Sequence, residues 1–136
     1  MTSSIEYQGN LRTVCIHLQS NNQIITDAPT DNHGKGEAFS PTDLVATALG
    51  TCMVTVMGIK ANSIGIELEG TTAMVNKVMA SNPRRIAKVE ITITFPQNKW
   101  DDATKNALEK TALHCPVAKS LHPDLEQVVE FEFNHH

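Results

Sequence analysis

The sequence predicts an α+β fold. Three observations carry that prediction: short alternating segments near both ends, one long apolar segment in the middle, and a second helical segment ahead of the final alternating one. With 136 residues, 40% of them hydrophobic, the chain can bury one core, and a single domain over 1–136 is expected.

From Ile5 to Thr26 the pattern is strand-like. In "LRTVCIHLQS" Arg12, Val14, Ile16 and Leu18 share one face, while Leu11, Thr13, Cys15 and His17 share the other. Asn21 and Asn22 suit a hairpin turn before "QIITDAP", and "DAPTDNHGKGEAF", dense in Asp, Asn, Pro and Gly, reads as a loop. Ser40-Pro41-Thr42-Asp43 opens a helix: Ser40 as N-cap, Pro41 where its missing N–H costs nothing, and Asp43 completing a capping box. The helix is expected to run to about Asn62 and, with little polar surface beyond threonines, to lie in the interior. Gly50 and Gly58 within it imply close packing, with a second helix as the neighbour.

Beyond "SIGIELEG", the runs "TTAMVNKVMA" and "IAKVEITITF" read as strands joined through the turn "SNPRR". Val89, Ile91, Ile93 and Phe95 share one face opposite Lys88, Glu90, Thr92 and Thr94, so that sheet has one wet side. "WDDATKNALEKTALHC" is helical, capped by Asp101 or Asp102, and Pro116 either ends it or begins a short new helix. Val129, Phe131 and Phe133 alternate with glutamates as a closing strand. The terminal Asn134-His135-His136 is left out of functional argument.

Net charge is −4 and the basic residues are scattered, which argues against a nucleic-acid footprint. No run of about 18 apolar residues lacks polar interruption, and "MTSSIEYQGN" has neither a basic nor an apolar leader region, so a cytoplasmic protein without membrane contact is expected. Three cysteines do not make a disulfide framework there; a bond between two of them would be transient and catalytic. His33, Cys52, His114, Cys115 and His122 lack the tight spacings of zinc sites, and "HGKGEAF" lacks the full phosphate-loop pattern, so neither metal nor cofactor is expected. Lys35 and Glu37 would instead order the mouth of a pocket.

Two segments, "GKGEAFSPTDLVATALGTCM" and "HCPVAKSLHPDL", together resemble the OsmC/Ohr family (osmotically inducible protein C and organic hydroperoxide resistance protein). The first resembles the family's Ser/Asn-Pro-x-Glu/Asp-Leu opening of a buried helix, with a cysteine eleven residues after the proline, as Cys52 follows Pro41. The second resembles its Cys-Pro-x-Ser/Ala-x-x-Leu segment, and the likeness covers nearly the whole chain. The resemblance implies an intertwined homodimer in which antiparallel sheets wrap central buried helices. It also implies a thiol peroxidase acting on organic hydroperoxides, with Cys52 as peroxidatic and Cys115 as resolving cysteine, reduced again by an external thiol. Cys15 has no counterpart in the pattern and reads as structural.

A thiol buried among apolar groups resists ionisation unless a cation stands near, and the dipole of its own helix acts only in the first turn. The resemblance points to an arginine on an early strand, and Arg12 alone precedes the helix. The family also places a carboxylate directly after the helix-start proline, to hold that arginine. Here the position is Thr42, with Asp43 one residue later. Nine helical residues turn Asp43 roughly 180° from Cys52 and about 13 Å along the axis, so the two cannot meet within one straight helix. Asp43 therefore has two readings, cap or site carboxylate, with Glu37 as a substitute in the second. Besides an enzyme, a non-catalytic redox sensor or small-ligand binder and a protein with merely packing thiols fit the pattern.

Overall fold

The computed structural model describes residues 1–133; the closing Asn134-His135-His136 lies outside the described residues. The chain forms two compact units, Met1–Val45 and Ala46–His136. In the first, β1 (Ser3–Gly9), β2 (Arg12–His17) and β3 (Gln23–Asp27) make an antiparallel sheet in that order. The β2–β3 turn falls earlier than expected, over residues 18–21: the His17 N–H donates to the Asn22 carbonyl at 2.8 Å and the Asn21 N–H to the His17 carbonyl at 2.7 Å, with Asn21 at a φ of 62°. A one-turn 3-10 helix at Thr30–Asn32 lies in the loop, and helix α1 (Pro41–Ile64) begins at its end.

Ser40 caps α1 as the sequence predicts. Its Oγ accepts the Asp43 N–H and its own N–H donates to Asp43 Oδ2, both at 3.0 Å. Both halves of the capping box are therefore made.

The second unit carries most of α1, then β4 (Thr72–Ala80), β5 (Arg85–Thr94), α2 (Asp102–Leu113), α3 (Pro116–Ser120) and β6 (Glu126–Glu132). Asp101 is the α2 cap, its side chain accepting the Thr104 N–H at 2.8 Å. Val89, Ile91, Ile93 and Phe95 are buried as their alternation predicts, and Leu49, Met53, Met57, Leu108 and Ala112 complete the core with them. Phe95 stacks on Phe133 with ring centroids 4.4 Å apart. The β4–β5 pair is antiparallel, but β6 joins β5 in parallel, a departure from the purely antiparallel sheets the resemblance implies. A parallel neighbour needs a long crossover, which residues 95–125 with α2 and α3 provide.

Two expectations for α1 need correction. Long and apolar enough to cross a membrane, the helix instead serves as a core element, but on one side only. Ala46, Leu49, Gly50, Met53, Met57 and Ala61 are buried, whereas Ile59 is 65% exposed. A single sheet covers one stripe of a helix, so interior placement all round does not follow from composition. The close neighbour at Gly50 is strand β4, not a helix: a Cβ there would stand 2.9 Å from Val75 Cγ2, while at Gly58 it would meet nothing within 4 Å.

Candidate functional site

In the second unit the two cysteines singled out by the sequence come together. Cys52 sits midway along α1, half-buried and packed against the core. Cys115 is 1% exposed, at the point where Pro116 breaks the α2 path and starts α3. The second of the two readings of Pro116 therefore holds. As N-cap of α3, Cys115 Sγ accepts the Ala118 N–H at 3.4 Å. Burial pushes this thiol above its ordinary value; the Ala118 N–H opposes that, and the neighbouring Cys52 side chain adds to it. Cys15, Cys52 and Cys115 are all reduced. Cys52 is the more accessible member of the pair.

The first unit contains a charged cluster that sequence reading found only in part. Arg12 opens β2 and faces Asp27, the last residue of β3, across the ladder. Arg12 Nε donates to Asp27 Oδ1 at 2.7 Å and Nη2 to Oδ2 at 2.8 Å, a side-on fork with both oxygens engaged. The backbone N–H of Glu37 donates to Asp27 Oδ2 at 3.1 Å, and Arg12 Nη2 reaches Glu37 Oε1 at 3.4 Å. Asp27 is 1% exposed. The guanidinium hydrogen bond holds its carboxyl below the usual range against the pull of burial, with the Glu37 N–H and the charge of Lys35 assisting. Arg12 is raised in turn, chiefly by the same bond.

Glu37, the proposed substitute carboxylate, is a partner of Arg12. Asp43 makes the cap, and the Thr42 hydroxyl lies 3.2 Å from Ser40 Oγ. Asp27 is a site residue that the sequence reading does not find, because the predicted turn at Asn21 and Asn22 sets Arg12 opposite Asp31, whereas the observed register, with its turn centred two residues earlier, sets it opposite Asp27. Cys15 stands in register with Ile5 and Ile24, its Sγ 3.8 Å from Thr13 Oγ1.

His114 Nδ1 donates to the Lys110 carbonyl at 2.8 Å, and His122 Nδ1 accepts the Asp124 N–H at 3.0 Å. Among the described residues, no three His, Cys, Asp or Glu side chains gather as a metal site.

Residues 34–129 match the family model for OsmC-like protein. The chain belongs to the OsmC family. No curated protein matches it. Among solved structures it is similar to one from Psychrobacter arcticus 273-4, provisionally described as an osmotic stress induced and detoxification response protein. The two share 60% identity and a TM-score of 0.93, over 96% of this chain and 95% of that one. An organic hydroperoxide resistance protein from Legionella pneumophila shares the fold at a TM-score of 0.75 and 16% identity, over 97% of both chains. So does one from Elizabethkingia anophelis, at 0.76 and 15%, over 98% of this chain and 97% of that one. The OsmC fold is thus kept while most side chains change.

Proposed function

We propose that this OsmC-family chain is a thiol-dependent peroxidase for organic hydroperoxides. The observation that supports it is the meeting of a half-buried Cys52 with a fully buried Cys115 whose thiol is held in its neutral form. Cys52 thiolate attacks the distal oxygen of the hydroperoxide; the S–O bond forms, the O–O bond breaks, and the alkoxide leaves as alcohol after taking a proton. Cys115 sulfur then attacks the Cys52 sulfenic acid, the S–O bond breaks, and the departing hydroxide leaves as water with the Cys115 proton. An external dithiol, small or protein-borne, returns both cysteines to thiols by exchange, as a reducing cytoplasm allows. Arg12 is the cation we assign to Cys52, on the family resemblance.

The active form is a homodimer. Ile59 of α1, Ile5 and Tyr7 of β1 and Met74 of β4 are at least 64% exposed in the single chain, and a second copy would cover such apolar surface. Sedimentation should give about twice 14.9 kDa, and a stable monomer would contradict this.

One equivalent of cumene hydroperoxide should yield a Cys52–Cys115 disulfide, read by mass spectrometry of unreduced peptides. Cys15 in the dominant disulfide would reject the assignment. Oxidation that no dithiol reverses would favour the sensor reading over turnover.

A further inference from the structure

The arginine on the early strand is retained in this chain, while the position after the helix-start proline is Thr42 and not a carboxylate. Something else must hold the guanidinium if it acts on an anion, because a long side chain left free spreads over many rotamers. We propose that Asp27 is the positioning residue for Arg12 and that Glu37 completes the clamp, leaving Nη1 to face an anionic sulfur or oxygen. The proposal rests on the peroxidase reading for the identity of that anion.

The geometry carries it in three steps. Asp27 takes the Nε and Nη2 edge of the guanidinium with two short bonds, and Glu37 takes a further Nη2 contact. No described partner engages Nη1, and the Arg12 side chain is 34% exposed, so this end of the fork is available. Asp27 is itself fixed from behind: its N–H donates to the Phe39 carbonyl at 3.0 Å, and Oδ2 accepts the Glu37 N–H. The backbone on both sides is equally constrained. Leu11 holds a φ of 64°, costly for a branched side chain, and its carbonyl accepts the Ala28 N–H at 3.0 Å. Gly34 approaches so closely that a Cβ would stand 1.7 Å from the Ala28 oxygen. A buried carboxylate with every contact used for one arginine and its own loop is a support for that arginine.

Two readouts test this on the full-length protein. The first is the second-order rate of Cys52 oxidation by cumene hydroperoxide across pH 5–9, for wild type, Asp27→Asn, Arg12→Ala and the double variant. Asp27→Asn should slow oxidation about tenfold at pH 7, the ratio that corresponds to about 1.4 kcal/mol of lost transition-state stabilisation, and should add nothing once Arg12 is Ala. An Asp27→Asn effect that persists in the Arg12→Ala background would overturn the proposal. The second is the 15N relaxation of Arg12 Nε–H, which should be as rigid as the backbone in wild type and mobile in Asp27→Asn. Equal mobility in both would also overturn it. If wild-type Cys52 does not react with hydroperoxide at all, the peroxidase reading fails and the Nε–H readout alone decides the role of Asp27. Should Asp27→Asn not fold, Arg12→Lys replaces it: an ammonium cannot make the side-on fork, so a rate equal to wild type would reject the need for positioning.

Discussion

Asp27 and Cys115 are equally hidden from water, at 1% exposure each, yet their acidities move in opposite directions. Burial pushes both toward the neutral form. In the sheet unit a guanidinium fork outweighs that push, and Asp27 stays a carboxylate. In the core unit Cys115 has only the backbone N–H groups of Ala118 and Val117, with a second sulfur beside it, so burial prevails and pushes the thiol toward its neutral form. Partner, not depth, decides the charge state. One region keeps a charge ordered, the other keeps a thiol protonated.

The largest expected effect would break the second half of that contrast. Cys52→Ser should abolish hydroperoxide consumption. Cys115→Ser should permit a single turnover, leaving Cys52 to pass on to sulfinic acid as peroxide rises, followed by intact-protein mass spectrometry.

Next in size is a reversal of sign. In wild type the lowered Asp27 value gives stability that is complete above the ordinary carboxylate value of about 3.9 and is lost as pH falls through the folded value below it. Arg12→Ala leaves Asp27 with burial dominant, so its contribution is present below about 3.9 and lost as pH rises. Denaturant midpoints between pH 3 and 7 should slope upward for wild type and less steeply, or downward, for the variant.

A smaller slope belongs to Cys115. Its raised folded value means its contribution is full below about 8.5 and declines as pH climbs toward the folded value, by at most about 1.4 kcal/mol per pH unit. Cys115→Ser should lack that alkaline slope. Smallest of all are two glycine changes that measure how far tight packing extends along α1. Gly50→Ala meets Val75 and should lower the melting temperature, whereas Gly58→Ala, open in its own chain, should raise stability by about 0.5–1 kcal/mol. A loss at Gly58 would place a second copy against it.

Much of this was legible in the sequence because it depends on local rules. The α1 cap, the buried face of β5, the Asp101 cap and the Cys-Pro junction all follow from residues within a few positions of one another. What escaped depends on tertiary partners. The apolar composition of α1 suggested burial all round, but how much of a helix is covered depends on the sheets that pack on it. Glu37 reaches Arg12 from the loop that leads into the helix, close in sequence to Thr42, while Asp27 arrives through strand register. The parallel seat of β6 left no trace in its alternation, since a strand with one buried face reads the same in either direction.

That parallel seat also sets an order of events as the chain is made. The β4–β5 hairpin closes over residues 81–84, but β6 can dock only after residues 95–125 have left the ribosome and folded back, a larger loop with a larger entropic cost. Cys115 lies inside that returning segment. During synthesis Cys52 therefore emerges well before the segment that brings Cys115 to it.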